Sequence, residues 1–350
     1  MAVTSYGVNH PSAVKHWSSE VFKEALKRTF ALKFMGKDSN SLCQMRNEMK
    51  SVGDRVTTHL RMQLSGDGIA GDGTLEGNEE QLTVYTDQVY IDQLRHAVRS
   101  GGRMSEQRVP FEVRDEAKDG LADWWADRID EAFMNQLAGN TTQADTRRTG
   151  MQSCLAPSSN NAIVQGDSST TASLSASAGH YFTLNSIDKA VEMAKTGSIP
   201  IRPIRMGGKE FYVAFIHPYQ ETDLRTTTAT TGDLSWADIQ RAAMEGGSIT
   251  NNPIFTGAVG MYNNTIIHVD NRVPSGAANT RRAIFCGAQA ASIAFGMDSG
   301  PNTMTWVEEL FDFENQLGVA AGCIWGLKKM QYNSQDFATI TMTSYAVAHN

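Results

Sequence analysis

Cysteine is scarce in this sequence, and hydrophobic runs long enough to cross a membrane are missing. Its 350 residues include four cysteines, and none forms a C-x-x-C pair. Neither a zinc ribbon nor a disulfide framework is therefore indicated, and we expect reduced thiols. The longest charge-free stretch that leans apolar, Ala283 to Met297, is shorter than the ~20 residues of a bilayer-crossing helix. The N-terminus has no basic region followed by an apolar core, so we expect neither an export signal nor a membrane partner.

The usual catalytic signatures are also absent. The sequence contains no G-x-S-x-G elbow, no H-E-x-x-H helix and no G-x-x-x-x-G-K-[ST] loop. Gly66 to Gly71 match the dinucleotide fingerprint G-x-G-x-x-G, but the loop continues in Asp72 to Gly77, where carboxylates would repel a pyrophosphate and no helix is predicted. The same carboxylates leave a weak calcium site as an alternative, although EF-hand spacing is absent.

These absences predict no catalytic, cofactor-binding or metal-binding residue, no cofactor and no enzymatic activity. A nucleotide-dependent enzyme built on the glycine-rich fingerprint is the alternative from another functional class. Its discriminating observation would be thermal stabilisation by a cofactor, which we do not expect.

The charge of the chain is acidic and unevenly distributed. Lys and Arg total 31 against 38 Asp and Glu, a formal net charge of -7, which disfavours tight, sequence-independent binding to DNA phosphates. Between Met62 and Leu94 there is no Lys or Arg. The acids of that window are Asp67, Asp72, Glu76, Glu79, Glu80, Asp87 and Asp92. The basic residues that follow are Arg95, Arg99, Arg103, Arg108 and Arg114. Either both runs are simply solvated, or they dock on each other between neighbouring chains.

The first hundred residues predict a helix followed by a long hairpin. Apolar spacing indicates a helix over Trp17 to Met35, behind a polar arm at residues 1 to 15. Strict alternation predicts a strand over Arg55 to Leu64, and a return strand is expected over Leu82 to Ile91, with a glycine-rich connection. Because a two-stranded ribbon of roughly 33 Å is marginally stable alone, we expect it to require a partner surface.

A second long helix is predicted over Pro110 to Leu137, closed by Gly139. Trp124 and Trp125 are adjacent on it, so that one can face the core while the other meets a neighbouring element or subunit; packing within the core is the alternative for both. Residues 140 to 179 are rich in small polar residues and predict an irregular insertion.

The remainder of the chain indicates a mixed layer domain that ends in strands. Predicted helices are Leu184 to Met193, Ser235 to Met244 and Ala288 to Phe295. Predicted strands are Phe211 to Ile216, Thr265 to Val269, Ala283 to Phe285, Cys323 to Met330 and Phe337 to Val347.

Several short sequence segments resemble those of the major capsid proteins of one tailed-phage family. They are Met62–Gly68, Leu75–Glu80, Tyr90–Arg99, Asp123–Asp130, Asn252–Ala258 and Cys286–Ala291. The resemblance implies the α+β Hong Kong 97-type capsid fold. It divides the chain into an N-terminal arm and helix (1–54), an extended loop (55–104), a peripheral domain with the spine helix (105–183 and 325–350) and an axial domain (184–324).

The resemblance also implies a function. The chain is expected to self-assemble through hexamers and pentamers into an icosahedral shell around double-stranded phage DNA. Expected partners are other copies, a scaffold, a portal and a decorating protein, with weak DNA contact; the location would be the virion, assembled in the host cytoplasm. A nanocompartment shell is the alternative within the same fold. Expected inter-subunit contacts are Asp67, Asp72, Glu76, Glu79, Glu80, Arg95, Arg99, Arg103, Arg108, Trp124 and Trp125. Some relatives crosslink a lysine of the extended loop, but no lysine lies between Lys50 and Lys118.

Overall fold

The computed structural model describes residues 29–46, 53–110, 112–167, 170–176, 179–197, 200–226, 258–276, 279–296 and 304–349. The predicted polar arm, most of the helix predicted over Trp17 to Met35, and the helix predicted over Ser235 to Met244 lie outside the described residues. No helix in the described ranges is long and apolar enough to span a membrane.

Helices and strands alternate along the chain, and most of the strands belong to two main sheets. The helices are α1 (Arg103–Gln107), α2 (Val113–Ala138), α3 (Leu184–Thr196) and α4 (Pro218–Thr226). The first strands are β1 (Met35–Gly36), β2 (Cys43–Arg46), β3 (Arg55–Arg61), β4 (Val84–Tyr90), β5 (Asp92–Arg99), β6 (Ala162–Val164), β7 (Ile204–Met206) and β8 (Lys209–Ile216). The later strands are β9 (Ala258–Tyr262), β10 (Thr265–Val269), β11 (Thr280–Cys286), β12 (Ala291–Phe295), β13 (Thr305–Phe311), β14 (Gln316–Lys329), β15 (Gln331–Tyr332), β16 (Gln335–Asp336) and β17 (Thr339–Tyr345).

The first sheet is built around β14, which is paired along both of its edges. One edge pairs with β5, from Gly318↔Arg99 to Trp325↔Asp92. The other edge pairs first with β13 and then with β12, and the sheet continues through β2 to β1. Because β5 directly follows the predicted hairpin in sequence, this pairing ties the hairpin to the core.

The second sheet has the order β6-β17-β11-β8-β10-β9, with β7 beside β8. Its central strand β8 is buried from Phe211 to Ile216, as expected for an apolar run with neighbours on both edges. The predicted strands at Phe211, Thr265 and Ala283 are confirmed here, and so is the helix that begins at Leu184.

Helix α2 lies against both sheets. Its 26 residues extend about 39 Å at ~1.5 Å per residue. Leu121, Trp125 and Ile129 are buried in the main core. Gly139 ends the helix in the left-handed region with φ 61°, where a Cβ would lie 2.6 Å from the Leu155 carbonyl oxygen. The predicted spine helix is confirmed, although it starts three residues after Pro110 because the turn that closes α1 occupies the preceding residues.

Two predicted elements are wrong. The helix predicted over Ala288 to Phe295 is a strand from Ala291, buried along its whole length between β2 and β14. Small apolar residues suit a buried strand as well as a helix, so the two neighbouring strands decide. The end of the first predicted helix also differs: Ala31–Phe34 is a 3₁₀ turn and Met35 begins a strand. The backbone N–H groups of Phe30 and Ala31 donate to the Asp130 carboxylate, at 2.9 and 2.8 Å.

Both main sheets combine strands from different segments of the predicted division. Strands β12 and β13, expected in the axial domain, share a sheet with β5 and β14. The last strand, β17, expected beside the spine helix, pairs with β11 in the second sheet. Partners this far apart in sequence are not encoded by any local pattern.

The interior contains charged groups and thiols. Lys329 and Asp336 form an ion pair at 2.8 Å with both side chains 1% exposed. The four cysteines are free and buried. Burial raises the thiol pKa of Cys154 to about 11 and that of Cys323 to about 12, which disfavours the reactive thiolate.

Candidate inter-subunit surfaces

Strands β3 and β4 form the predicted hairpin, in register from Arg55↔Tyr90 to Arg61↔Val84. The paired region is shorter than predicted, with seven residues in each strand. Alternation on β3 places Val56 and Thr58 on the buried face. The hairpin is therefore confirmed, and its two ends have different environments.

The root of the hairpin is anchored to its own chain. Val56 and Val89 pack against Ala294. Asp87, 7% exposed, forms an ion pair with Lys328, and its second carboxylate oxygen accepts the Gln331 backbone N–H at 3.1 Å. This root fixes the direction in which the hairpin leaves the body.

The tip of the hairpin, residues 63–83, is exposed throughout. It is shaped by its own hydrogen bonds: the Glu80 carboxylate accepts the backbone N–H groups of Ser65 and Gly66, each at 2.8 Å. These bonds lower the pKa of the Glu80 carboxyl. The Glu79 carboxylate accepts the Gly77 N–H at 2.8 Å. Two of the predicted contact residues therefore hold the loop in shape.

The other three acids of the tip project into solvent. Asp67, Asp72 and Glu76 are exposed, and across the described ranges they form no ion pair. Apolar side chains accompany them: Leu64, Leu75 and Leu82 are 57%, 62% and 53% exposed. The tip thus carries charge and apolar surface that the described residues of its own chain do not cover.

The predicted basic residues lie on β5 and around α1. Arg95 and Arg99 project from β5, while Arg103 and Arg108 lie at the two ends of α1. All four side chains are exposed, and none pairs with a carboxylate of the described residues. The Arg99 guanidinium instead lies over the Phe311 ring, 4.3 Å from its centroid. Arg95 and Arg99 lie opposite Gly322 and Gly318 of β14, and the Arg103 N–H donates to the Asn315 carbonyl just before β14; among the described residues, none of the four forms an ion pair with the acidic tip.

The two tryptophans of the spine helix differ, and one prediction needs correction. Trp125 is 1% exposed, with its ring edge-on to Trp325, so it has no surface to offer a neighbouring subunit. Trp124 is partly exposed, stacks on His96 with centroids 4.5 Å apart, and has the Arg128 guanidinium 5.6 Å away. The Trp124 side chain is therefore partly accessible to a neighbouring subunit, whereas Trp125 is a core residue.

The sequence did not predict the ion pair that anchors the root of the hairpin. Asp87 counts as one more acid of a charged run, yet it is the buried partner of Lys328. The alternation of β3 and β4 could have placed Asp87 on the same face as Val89 and opposite Thr58. Its cation comes from β14, more than two hundred residues away in sequence, and no local signal identifies that pairing.

The acidic residues and the glycine-rich fingerprint of the tip lie in an exposed loop. No group of three or more His, Cys, Asp or Glu within them could hold a metal ion. The fingerprint from Gly66 to Gly71 lies in the exposed tip and is followed by more loop. A phosphate-binding helix N-terminus is therefore missing from that loop.

A spine helix across two sheets, together with a hairpin that projects from its root, defines the Hong Kong 97-type fold of phage shell subunits. The comparisons with known proteins agree. The sequence model of the phage capsid protein family matches residues 5–348. The major capsid protein of Pseudomonas phage KPP25 is 29% identical over 368 residues, covering 93% of each chain.

Solved structures show the same relationship. The capsid of Ralstonia phage GP4 aligns over 100% of both chains with 32% identity and a TM-score of 0.79. The capsid of cyanophage Pam1 covers 93% of this chain and 94% of its own, with 19% identity and a TM-score of 0.72; that likeness concerns the fold. This chain belongs to the phage capsid protein family, and it is a shell-forming protein of the phage particle.

Proposed function

We propose that copies of this chain join through the hairpin tip, which docks on the arginines of a neighbouring copy. The observation that carries the proposal is that, among the described residues, neither the projecting acids of the tip nor these arginines form an ion pair within one chain. Asp67, Asp72 and Glu76 project from the tip, and Arg95, Arg99, Arg103 and Arg108 are exposed without a carboxylate partner in the described residues. Complementary charge of this kind favours encounter and sets the register of docking.

The apolar residues of the tip support the same proposal. Leu64 and Leu75 are more than half exposed, and burying a leucine fully on a partner contributes about 1.5 to 3 kcal/mol. Because an isolated two-stranded ribbon is marginally stable, a neighbouring copy would also stabilise the outer part of the hairpin.

In this proposal the copies form hexamers and pentamers of an icosahedral shell that encloses double-stranded DNA. The net charge of -7 fits a container that contacts its packaged polyanion weakly. We propose a purely structural role, with scaffold, portal and decorating proteins as further partners, and assembly in the host cytoplasm before the chain becomes part of the virion. We also propose the division into an N-terminal arm and helix (1–54), an extended loop (55–104), a peripheral domain (105–183 and 325–350) and an axial domain (184–324), in which both main sheets combine strands from different segments.

The test neutralises the three acids that do not shape the loop, in the variant Asp67→Asn, Asp72→Asn, Glu76→Gln. The matched control, Asp38→Asn, Asp115→Asn, Glu192→Gln, removes the same charge from exposed positions elsewhere. We expect unchanged circular dichroism in both variants. We expect reduced particle yield and a weaker salt dependence of assembly only in the tip variant, measured by sedimentation and electron microscopy. Equal particle yield and equal salt dependence of assembly in the two variants would contradict the proposed electrostatic docking.

A further inference from the structure

The hairpin between β13 and β14 ends in an aromatic side chain that no described residue of the same chain covers. Phe313 is 104% exposed, the most exposed of the large hydrophobic residues in the described ranges. It lies between Asp312 and Glu314, which are also exposed. Phe313 is distant in sequence from the tip of the β3–β4 hairpin, so it belongs to a different surface.

The backbone makes this position unusual for a phenylalanine. Asp312, Phe313 and Glu314 have φ values of 53°, 50° and 68°, in the left-handed region that glycine and asparagine adopt most readily. A phenylalanine there is strained and, being exposed, gains no packing in return. Within a single subunit this side chain therefore contributes nothing to stability.

The loop holds Phe313 in place. The Asn315 N–H donates to the Asp312 carbonyl at 3.0 Å, and the Asn315 carbonyl accepts the Arg103 N–H at 3.1 Å. Residues 312–315 are thus tied to the start of α1. A rigid aromatic side chain loses little conformational entropy when it is buried on a partner.

An open cleft lies at the same end of the molecule. It has a volume of about 650 Å³ and is lined by described residues of α1, of the start of α2 and of the start of β14. Its apolar lining is Val109, Pro110, Val113 and Leu317. Its charged lining is Arg103, Glu106, Glu112 and Arg114.

Two of the four charges in the cleft are already engaged. The Arg114 guanidinium binds Glu308 at 2.6 Å, and the Glu106 carboxylate accepts the Ser100 hydroxyl. Arg103 is exposed, but it belongs to the arginine surface proposed above for the hairpin tip, so this contact does not depend on it. Glu112 is exposed as well and disfavours an acidic ligand, so the apolar lining carries most of the recognition.

We propose that Phe313 of one copy inserts into the cleft of a second copy of this chain. The occupant is a second copy because the protein forms a shell of identical chains and because projection and cleft are both present on each chain. The contact is heterologous, with different surfaces meeting. Since projection and cleft lie at the same end of the molecule, it can close into a small ring around one axis.

The experiment replaces Phe313 with asparagine, which suits the left-handed conformation. We expect Phe313→Asn to leave the thermal midpoint of the unassembled subunit unchanged or raised, because strain is relieved. We expect the protein concentration needed for assembly to rise at least about tenfold, the order expected when a well-buried aromatic contact is lost. Phe313→Trp keeps a large aromatic side chain and should assemble, and Leu155→Asn, another exposed apolar position, is the matched control.

A second arm tests the cleft. Val109→Asp places a charge on its apolar lining and should impair assembly as Phe313→Asn does, and combining the two should cost little more than either one alone. Wild-type assembly is measured first, with a scaffold protein added if the chain alone forms no particles, so that every variant is compared under conditions in which the wild type assembles. Particles from Phe313→Asn at wild-type concentration would overturn the proposed contact, and additive effects of the two substitutions would overturn the pairing of Phe313 with this cleft.

Discussion

Removing the Asp87 carboxylate should release the root of the β3–β4 hairpin. Asp87 and Lys328 form an ion pair with side chains 7% and 15% exposed, and Asp87 also accepts the Gln331 N–H. Breaking a nearly buried pair costs about 3 kcal/mol, because the remaining charge loses its partner. Since 1.4 kcal/mol corresponds to a factor of ten, Asp87→Ala should increase the population of the undocked hairpin by about a hundredfold.

Hydrogen exchange measured by mass spectrometry reports this opening directly. Amides of β3 and β4 should exchange about a hundredfold faster in Asp87→Ala, because local opening limits their exchange, while the central strand β8 should not change. Asp92→Ala is the matched control, since the Asp92 carboxylate accepts only the adjacent Gln93 N–H among the bonds described. In a double-mutant cycle with Lys328→Ala, the combined cost should be smaller than the sum.

Equal exchange rates of β3 and β4 in Asp87→Ala and Asp92→Ala would contradict the role of the Asp87–Lys328 ion pair as the anchor of the hairpin. The side-chain bond of Thr58 to Tyr332 and the contact of Val56 and Val89 with Ala294 would then suffice to dock the hairpin. Particle yield should follow hydrogen exchange, because a hairpin with a loose root presents its tip in many orientations and pays more entropy on docking.

Two further predictions concern the spine helix. A Cβ added at Gly120 meets nothing within 4 Å, so Gly120→Ala should stabilise the unassembled subunit by about 0.5 to 1 kcal/mol in urea unfolding; a loss of stability would contradict an open helix face there. Desolvation raises the pKa of the Asp130 carboxyl to about 6 from an ordinary 3.8, although the Ala31 and Phe30 N–H groups and Arg272 oppose the shift. The contribution of this carboxyl to the unfolding free energy is therefore largest below its unfolded pKa and falls as pH rises from 3.8 to about 6, by about 3 kcal/mol. Urea unfolding between pH 4 and 7 should show that this part of the pH dependence disappears in Asp130→Asn, and an identical profile would exclude it.

The local sequence pattern was enough to predict the elements that do not depend on partners far away in sequence. The spine helix and its closing Gly139 form their backbone hydrogen bonds within a few residues, and the strand that begins at Arg55 pairs with the next strand of the chain. The exposed acidic tip follows from the sequence in the same way, because a glycine-rich run of carboxylates with few apolar residues has little to bury.

Tertiary structure decided everything that depends on a distant partner. Ala291–Phe295 is a strand because β2 and β14 lie on either side of it, and Trp125 is a core residue because Trp325 meets it there. Asp87 became the anchor of the hairpin because β14 delivers Lys328 to it. Phe313 is exposed because its strand pair ends beyond the body of the sheet. Each of these outcomes is set by contacts between residues far apart in sequence, and such contacts form only when the whole chain has folded.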